Sequence, residues 1–309
     1  MIEGQEDVTW QQWRALAAAC EEHGFDALFR SDHYLSVEGR RERGSLDAWT
    51  TLGALAAVTS GLRLGTLVSP ATFRHPSVLA KCAATVDQVS GGRAELGIGA
   101  GWLAAEHAAY GFPFPPVRTR MDVLAEQLAI VVRSWGDEPF SFHGEHYRID
   151  ELDALPKPVQ RPHPPLLVGG QAGRRSVELA ARWADEYNTV SASIDELKAR
   201  RAAFAEAWAR AGRDAGELRF SALVTTVVGA DEREFRDRAR LLAERRGQNV
   251  EALLRGVRDS GVVGTVEQAA ERLRELERAG LDRVMLQHLL HDDLDAVALI
   301  GRELIPLVA

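Results

Sequence analysis

Ser31-Asp32-His33-Tyr34 sets an imidazole next to a carboxylate just after the short apolar run 25–29. Histidine titrates near neutrality, so His33 can pass a proton to or from a bound molecule, or it can satisfy loop backbone. Gly169-Gly170-Gln171-Ala172-Gly173 offers a different chemistry. It follows an apolar run and opens a helical pattern, so its N–H groups and the helix dipole can cradle a phosphate, and Arg174 and Arg175 add positive charge. Gly97-Ile98-Gly99-Ala100-Gly101 imitates a dinucleotide fingerprint only superficially: the third glycine falls on Trp102, which argues against a Rossmann site. His143 and His146 lie on a hairpin pattern, where a spacing of three puts them on opposite faces. His288, His291 and Asp292 make a similarly poor ligand set, so no metal is expected. No Ser/His/Asp nucleophile turn is evident.

Something must hold these groups in place, and the chain alternates in period as it would for strands and helices. Short segments at 25–29, 62–68, 94–98, 166–168, 186–190, 218–228 and 282–286 read as strands. Helical patterns separate them. The first is capped by Thr9 with Gln12, another opens at Pro76 and closes at Gly91-Gly92, and a region from 231 to 257 turns near Gly247. The last clear helix runs from the cap Thr265 to Gly280. Residues 140–149 read as a hairpin inside an insertion at about 138–164. Strict strand–helix alternation means a parallel sheet covered by helices. Seven strands are awkward for a closed barrel, but Met1-Ile2-Glu3 stands immediately before a capped helix and reads as the stub of a first strand. The expectation is one domain over 1–309, a (β/α)8 TIM barrel with a truncated first strand; an open doubly wound sheet is the competitor. Parallel barrels carry function at the carboxyl ends of their strands, where His33 and both glycine turns fall.

The chain has 309 residues, 46% hydrophobic and 27% charged, with a net charge of −8. That is ordinary globular composition, and with no basic block it argues against nucleic-acid or anionic-membrane partners. Cys20 and Cys82 sit in alanine-rich helical patterns, which fits free thiols in a cytoplasmic protein. No run of about 18 apolar residues suggests a membrane span.

Taken in order, several stretches resemble the bacterial luciferase-like family, in particular its branch using the deazaflavin coenzyme F420. They are Phe25 to Tyr34, Thr72-Phe73-Arg74-His75-Pro76, Ser90-Gly91-Gly92-Arg93, Gly97 to Trp102, Glu106-His107, Tyr110-Gly111, Arg118 to Met121, the Gly169 turn and Ala184 to Asn188. The resemblance implies an oxidoreductase whose coenzyme lies across the carboxyl ends of the strands. A non-prolyl cis peptide at Leu67–Val68 would support the ring, with Asp32 and the Gly99-Ala100-Gly101 turn beside it. The phosphate would sit on Gly169, Gly170, Gln171 and Gly173. His33 would be the catalytic acid or base, and Glu106 the nearest carboxylate, with Arg118 and Arg120 as competing partners for it. Some related dehydrogenases carry a glutamate where Trp102 stands, which argues against sugar-phosphate dehydrogenation here. The implied reaction is hydride transfer between the deazaflavin C5 and a small organic substrate, in a homodimer. The alternatives are an FMN-dependent monooxygenase or, if the short first strand leaves the barrel open, a non-catalytic coenzyme-binding protein.

Overall fold

The computed structural model describes residues 1–308. Helix α1 (Trp10–Glu22) starts from the Thr9–Gln12 capping box and leads to β1 (Ala27–Arg30). Then follow α2 (Ala48–Val58), β2 (Arg63–Thr66), the two-residue β3 (Ser69–Pro70), α3 (Pro76–Ser90) and β4 (Ala94–Gly99). Next come α4 (Ala104–Tyr110), α5 (Val117–Trp135), the hairpin of β5 (Phe140–His143) and β6 (Arg148–Leu152), and β7 (Leu166–Gly170). The remainder runs α6 (Arg174–Trp183), β8 (Glu186–Val190), α7 (Ile194–Arg210), β9 (Arg219–Gly229), α8 (Glu232–Arg246) and α9 (Val250–Val257). It ends with β10 (Val262–Thr265), α10 (Val266–Arg278), β11 (Arg283–His288) and α11 (Leu294–Leu299).

The parallel order is β1-β2-β4-β7-β8-β9, with β11 on the far side of β9. Met1 and Ile2 complete the ring. The Ile2 N–H donates to Phe29 O at 2.9 Å and the Ser31 N–H to Ile2 O at 3.2 Å. On the other side the Met1 ammonium donates to Leu286 O at 2.8 Å and the His288 N–H to Met1 O at 3.0 Å. The stub therefore ties both neighbours, and the open barrel on which the non-catalytic alternative rested is not found at this level. Between β1 and β11, along most of their length and not reaching His33, lies a cleft of 770 Å³ lined by Leu16, Leu28, Val284 and Ile300 among others.

Side-chain alternation sorts the strands into an inner and an outer set. On β11, Val284 and Leu286 pack outward with the helices, while Met285 joins Phe29, Leu67 and Leu167 inside. Beneath that inner apolar layer the floor is ionic. The Arg283 guanidinium reaches Glu95 at 2.8 Å and Glu186 at 3.4 Å, and Arg63 reaches Glu95 at 2.5 Å. Burial pushes the Glu186 carboxyl up despite Arg283, whereas Glu95, also buried, is held below its ordinary value by Arg283 and Arg63.

All seven expected strands are present. Four elements exceed the sequence reading: β3, β10, α4 and α11. β10 is four residues long, contains Gly264 at φ 132°, and pairs only with Thr226 to Gly229, the far end of the ring strand β9.

Candidate active site

β1 delivers His33 to the mouth of the barrel, and α4 delivers Glu106 beneath it. His33 Nδ1 stands 2.8 Å from Glu106 Oε2. Glu106 is 0% exposed and its other oxygen accepts the backbone N–H groups of Tyr34 and, at 3.0 Å, Leu35. Glu106 stands four positions after Trp102, so the short helix α4 that follows the glycine turn is what brings the carboxylate back under the β1 loop. Arg118 and Arg120 do not compete for it. The Arg120 guanidinium binds Pro115 O at 2.6 Å and lies over the Phe114 ring, and Arg118 offers only its carbonyl, to Arg175.

Burial disfavours the imidazolium, yet the Glu106 hydrogen bond and charge, with Glu3 and Asp32, outweigh it and hold His33 above its ordinary value. Burial would likewise raise Glu106; His33 and the two N–H donors instead keep it below the usual carboxylate range. Among the described residues Nε2 of His33 has no protein partner. It is the nitrogen left for a ligand. The Trp102 ring, 62% exposed, meets the His33 ring edge-on at 5.8 Å between centroids.

Asp32 faces away from this opening. It is buried against Arg74, at 2.5 and 3.2 Å, and Ser69 Oγ, at 2.6 Å. Arg74 also reaches Asp47 at 2.7 Å and the Tyr34 hydroxyl at 2.9 Å. Although Asp47 is partly buried, the Thr50 N–H and Arg74 hold its carboxyl at about 2. This network anchors the Asp32-His33-Tyr34 loop to the start of α3.

The Leu67–Val68 bond is cis, and Val68 projects among the glycines. A Cβ on Gly99 would stand 2.8 Å from Val68 Cγ2, and one on Gly169 2.9 Å from Val68 Cγ1. At Gly97 it would stand 2.2 Å from Thr66 O. Three bare backbone positions from β4 and β7 thus make room for one half-buried valine at the mouth. Gly101, at φ 78°, completes the turn beside Thr72 and His107, and Ala100 packs on the core.

The Gly169 turn is shaped from behind by Tyr187. Its hydroxyl accepts the Ala172 N–H at 2.8 Å and meets Ser176 Oγ at 2.8 Å, and a Cβ on Gly170 would stand 2.6 Å from it. Gly173 caps α6 with no side-chain partner, leaving first-turn N–H groups open, and Gln171 is exposed. Arg174 pairs with Glu178 at 2.9 Å and Arg175 with Asp122 at 2.5 Å, so the extra positive charge of the turn is already partnered.

Two groups at the mouth are not apparent from local sequence: Glu3 and Gln287. Gln287 donates to Glu3 at 2.6 Å, across 284 positions of sequence. The residues 3–6, Glu-Gly-Gln-Glu, were the available signal, a polar run directly after a strand stub.

The family model for the luciferase-like monooxygenases matches residues 2–283. An F420-dependent hydroxymycolic acid dehydrogenase of Mycobacterium tuberculosis is 34% identical over 219 residues, 71% of this chain and 59% of that one. An FMNH2-dependent dimethylsulfone monooxygenase of Pseudomonas putida is 28% identical over 322 residues, 96% of this chain and 87% of that one. Among solved structures, an F420-dependent secondary alcohol dehydrogenase in complex with an F420–acetone adduct superposes with a TM-score of 0.83 at 23% identity, covering 100% of this chain and 98% of the other. That likeness shows the TIM-barrel fold. The chain belongs to the luciferase-like monooxygenase family of oxidoreductases.

Proposed function

We propose that this protein is an F420-dependent oxidoreductase that moves a hydride between the coenzyme and a small organic alcohol or carbonyl compound. The observation that carries the reading is the His33–Glu106 pair at the barrel mouth, with Nε2 of His33 left unpartnered. Bound F420 would supply a two-electron hydride carrier and, lacking the flavin N5, would not activate oxygen. The residues fit a flat ring. Val68 offers it an apolar surface, and the bare backbone of Gly99 and Gly169 lets a ligand come close. The N-terminal turn of α6, with Gly173 and its neighbours, has donors free for a phosphate.

His33 takes the hydroxyl proton when an alcohol is oxidised and returns it when a carbonyl is reduced. Glu106 fixes the ring by holding Nδ1, so Nε2 faces the substrate, and its negative charge stabilises the imidazolium that forms. Trp102 and the Tyr34–Arg74–Asp47 network hold the loop that carries His33.

A second reading, FMN-dependent monooxygenation, is favoured by the relative of that cofactor class that spans 96% of the chain. Separate titrations with F420 and FMN, followed by coenzyme fluorescence, decide between them. Saturable F420 binding with hydride exchange is expected; tight FMN binding without F420 binding overturns the reading.

A further inference from the structure

The mouth contains a second carboxylate besides Glu106. Along the stub, Met1 belongs to the inner apolar cluster and Ile2 to the outer one, so Glu3 points inward again, one layer nearer the mouth. Its carboxylate is held at both oxygens. Gln287 Nε2 donates to Oε1 at 2.6 Å and Gln5 Nε2 donates to Oε2 at 2.7 Å. Gln287 sits two positions beyond Met285 on the inward face of β11 and is itself fixed by the Thr225 hydroxyl at 3.0 Å. Two neutral amides orient Glu3 without neutralising it, and the side chain stays half-buried with lone pairs unused. It is close enough to His33 to favour the imidazolium.

The cations around this opening are occupied elsewhere. Arg74 is shared by Asp32 and Asp47, and Arg43 by Glu6 and Glu38. Arg30 makes no ion pair, but it is turned outward over the Trp13 ring and donates to the Ser31 and Leu46 carbonyls, and the Met1 ammonium is held by Leu286 O. Arg283 lies in the floor, between Glu95 and Glu186. A substrate anion brought beside His33 would therefore face Glu3 and Glu106 with no guanidinium among the described residues turned toward it, in a site where water screens poorly.

We infer that Glu3 is a specificity-determining residue that selects neutral or cationic alcohols bearing a second hydrogen-bond donor and rejects phosphorylated or carboxylated ones. One donor of such a substrate, the reacting hydroxyl, meets His33, and the other donates to Glu3. As a statement about substrate this rests on the proposed reaction; the charge preference of the mouth stands apart from it, and the coenzyme phosphate is assigned to the Gly169–Gly173 turn.

The test is a matched pair of probes, isobutyramide and isobutyrate, which share a shape and differ in charge. Binding of each is measured by calorimetry on the free and the F420-saturated protein, with F420 affinity measured beforehand by fluorescence. The amide is expected to bind at least about tenfold more tightly than the carboxylate, a difference of about 1.4 kcal/mol. In Glu3→Gln the ratio should fall below about threefold, chiefly through gained isobutyrate binding. Raising salt in the unmodified protein should strengthen isobutyrate binding and leave the amide unchanged, which serves if the variant does not fold. Equal affinity of the two probes, an unchanged ratio in a folded Glu3→Gln, or salt-insensitive isobutyrate binding overturns the inference. Absence of F420 binding would sink the proposed function instead, and the probe ratio on the free protein would still decide the role of Glu3.

Discussion

Glu106, fully buried, holds Nδ1 of His33 at 2.8 Å while receiving the N–H groups of the two residues that follow Tyr34's imidazole neighbour in the chain, Tyr34 and Leu35. One carboxylate thus sets both the ring and the loop that carries it. Replacing His33 by Ala should lower kcat by about 10²–10⁴-fold, the usual contribution of a positioned acid–base group. Glu106→Gln should lower it less and leave F420 affinity intact, because the lost group touches His33 rather than the coenzyme. Steady-state rates and coenzyme titrations of both variants check this; turnover in His33→Ala within about threefold of the parent refutes the acid–base role.

The raised pKa of His33 gives the reaction a direction-dependent pH profile. Alcohol oxidation needs the neutral ring, so kcat/KM should climb with pH and level off above an apparent pKa higher than His33's ordinary 6.5. Carbonyl reduction needs the imidazolium and should fall over the same window. Stability follows the second sign. The charged pairing with Glu106 is fully present below the unfolded value and is lost as pH rises through the higher folded one. Thermal midpoints of the parent and His33→Gln should therefore converge at alkaline pH.

The glycines around Val68 predict a difference between two similar-looking substitutions. Gly169→Ala clashes with the Val68 side chain, whereas Gly97→Ala clashes with the Thr66 carbonyl. Each should cost about 1–3 kcal/mol by overpacking. Adding Val68→Ala should restore much of the stability of Gly169→Ala and little of that of Gly97→Ala, read from urea midpoints of the single and double variants.

Arg283 joins two buried carboxylates in the floor. Arg283→Met removes their shared cation and should destabilise the fold by about 3–5 kcal/mol, since it leaves buried charge uncompensated. Arg283→Met with Glu95→Gln and Glu186→Gln should recover part of that loss. Equal stability of the single variant and the parent would show that the carboxylates are neutral in the folded barrel.

The architecture was legible because burial writes itself in periods. The strand at 166–168 is a continuous apolar run, and the caps at Thr9 and Thr265 act within one helical turn. His33 and the glycine turns could be placed at strand ends from the same pattern. The partners could not. Glu106 lies 73 positions from His33; only the family resemblance put it near the site, and Ala104-Ala105-Glu106-His107 by itself shows no such contact. The reason for Gly97, Gly99 and Gly169 is a valine from another strand, which no spacing rule reveals. Glu3 and Gln287 come from opposite ends of the chain and meet only when the ring closes.

β9 is longer than the ring requires. Its first half pairs with β8 and β11, and Thr226 to Gly229 run on beside β10. The sheet therefore continues beyond the β8 and β11 pairings on that side, backed by α8. The barrel thus carries a parapet over the arc of its rim formed by β9 and β10. Exchanging the β10 segment should therefore alter how quickly molecules come and go more than how the reaction proceeds.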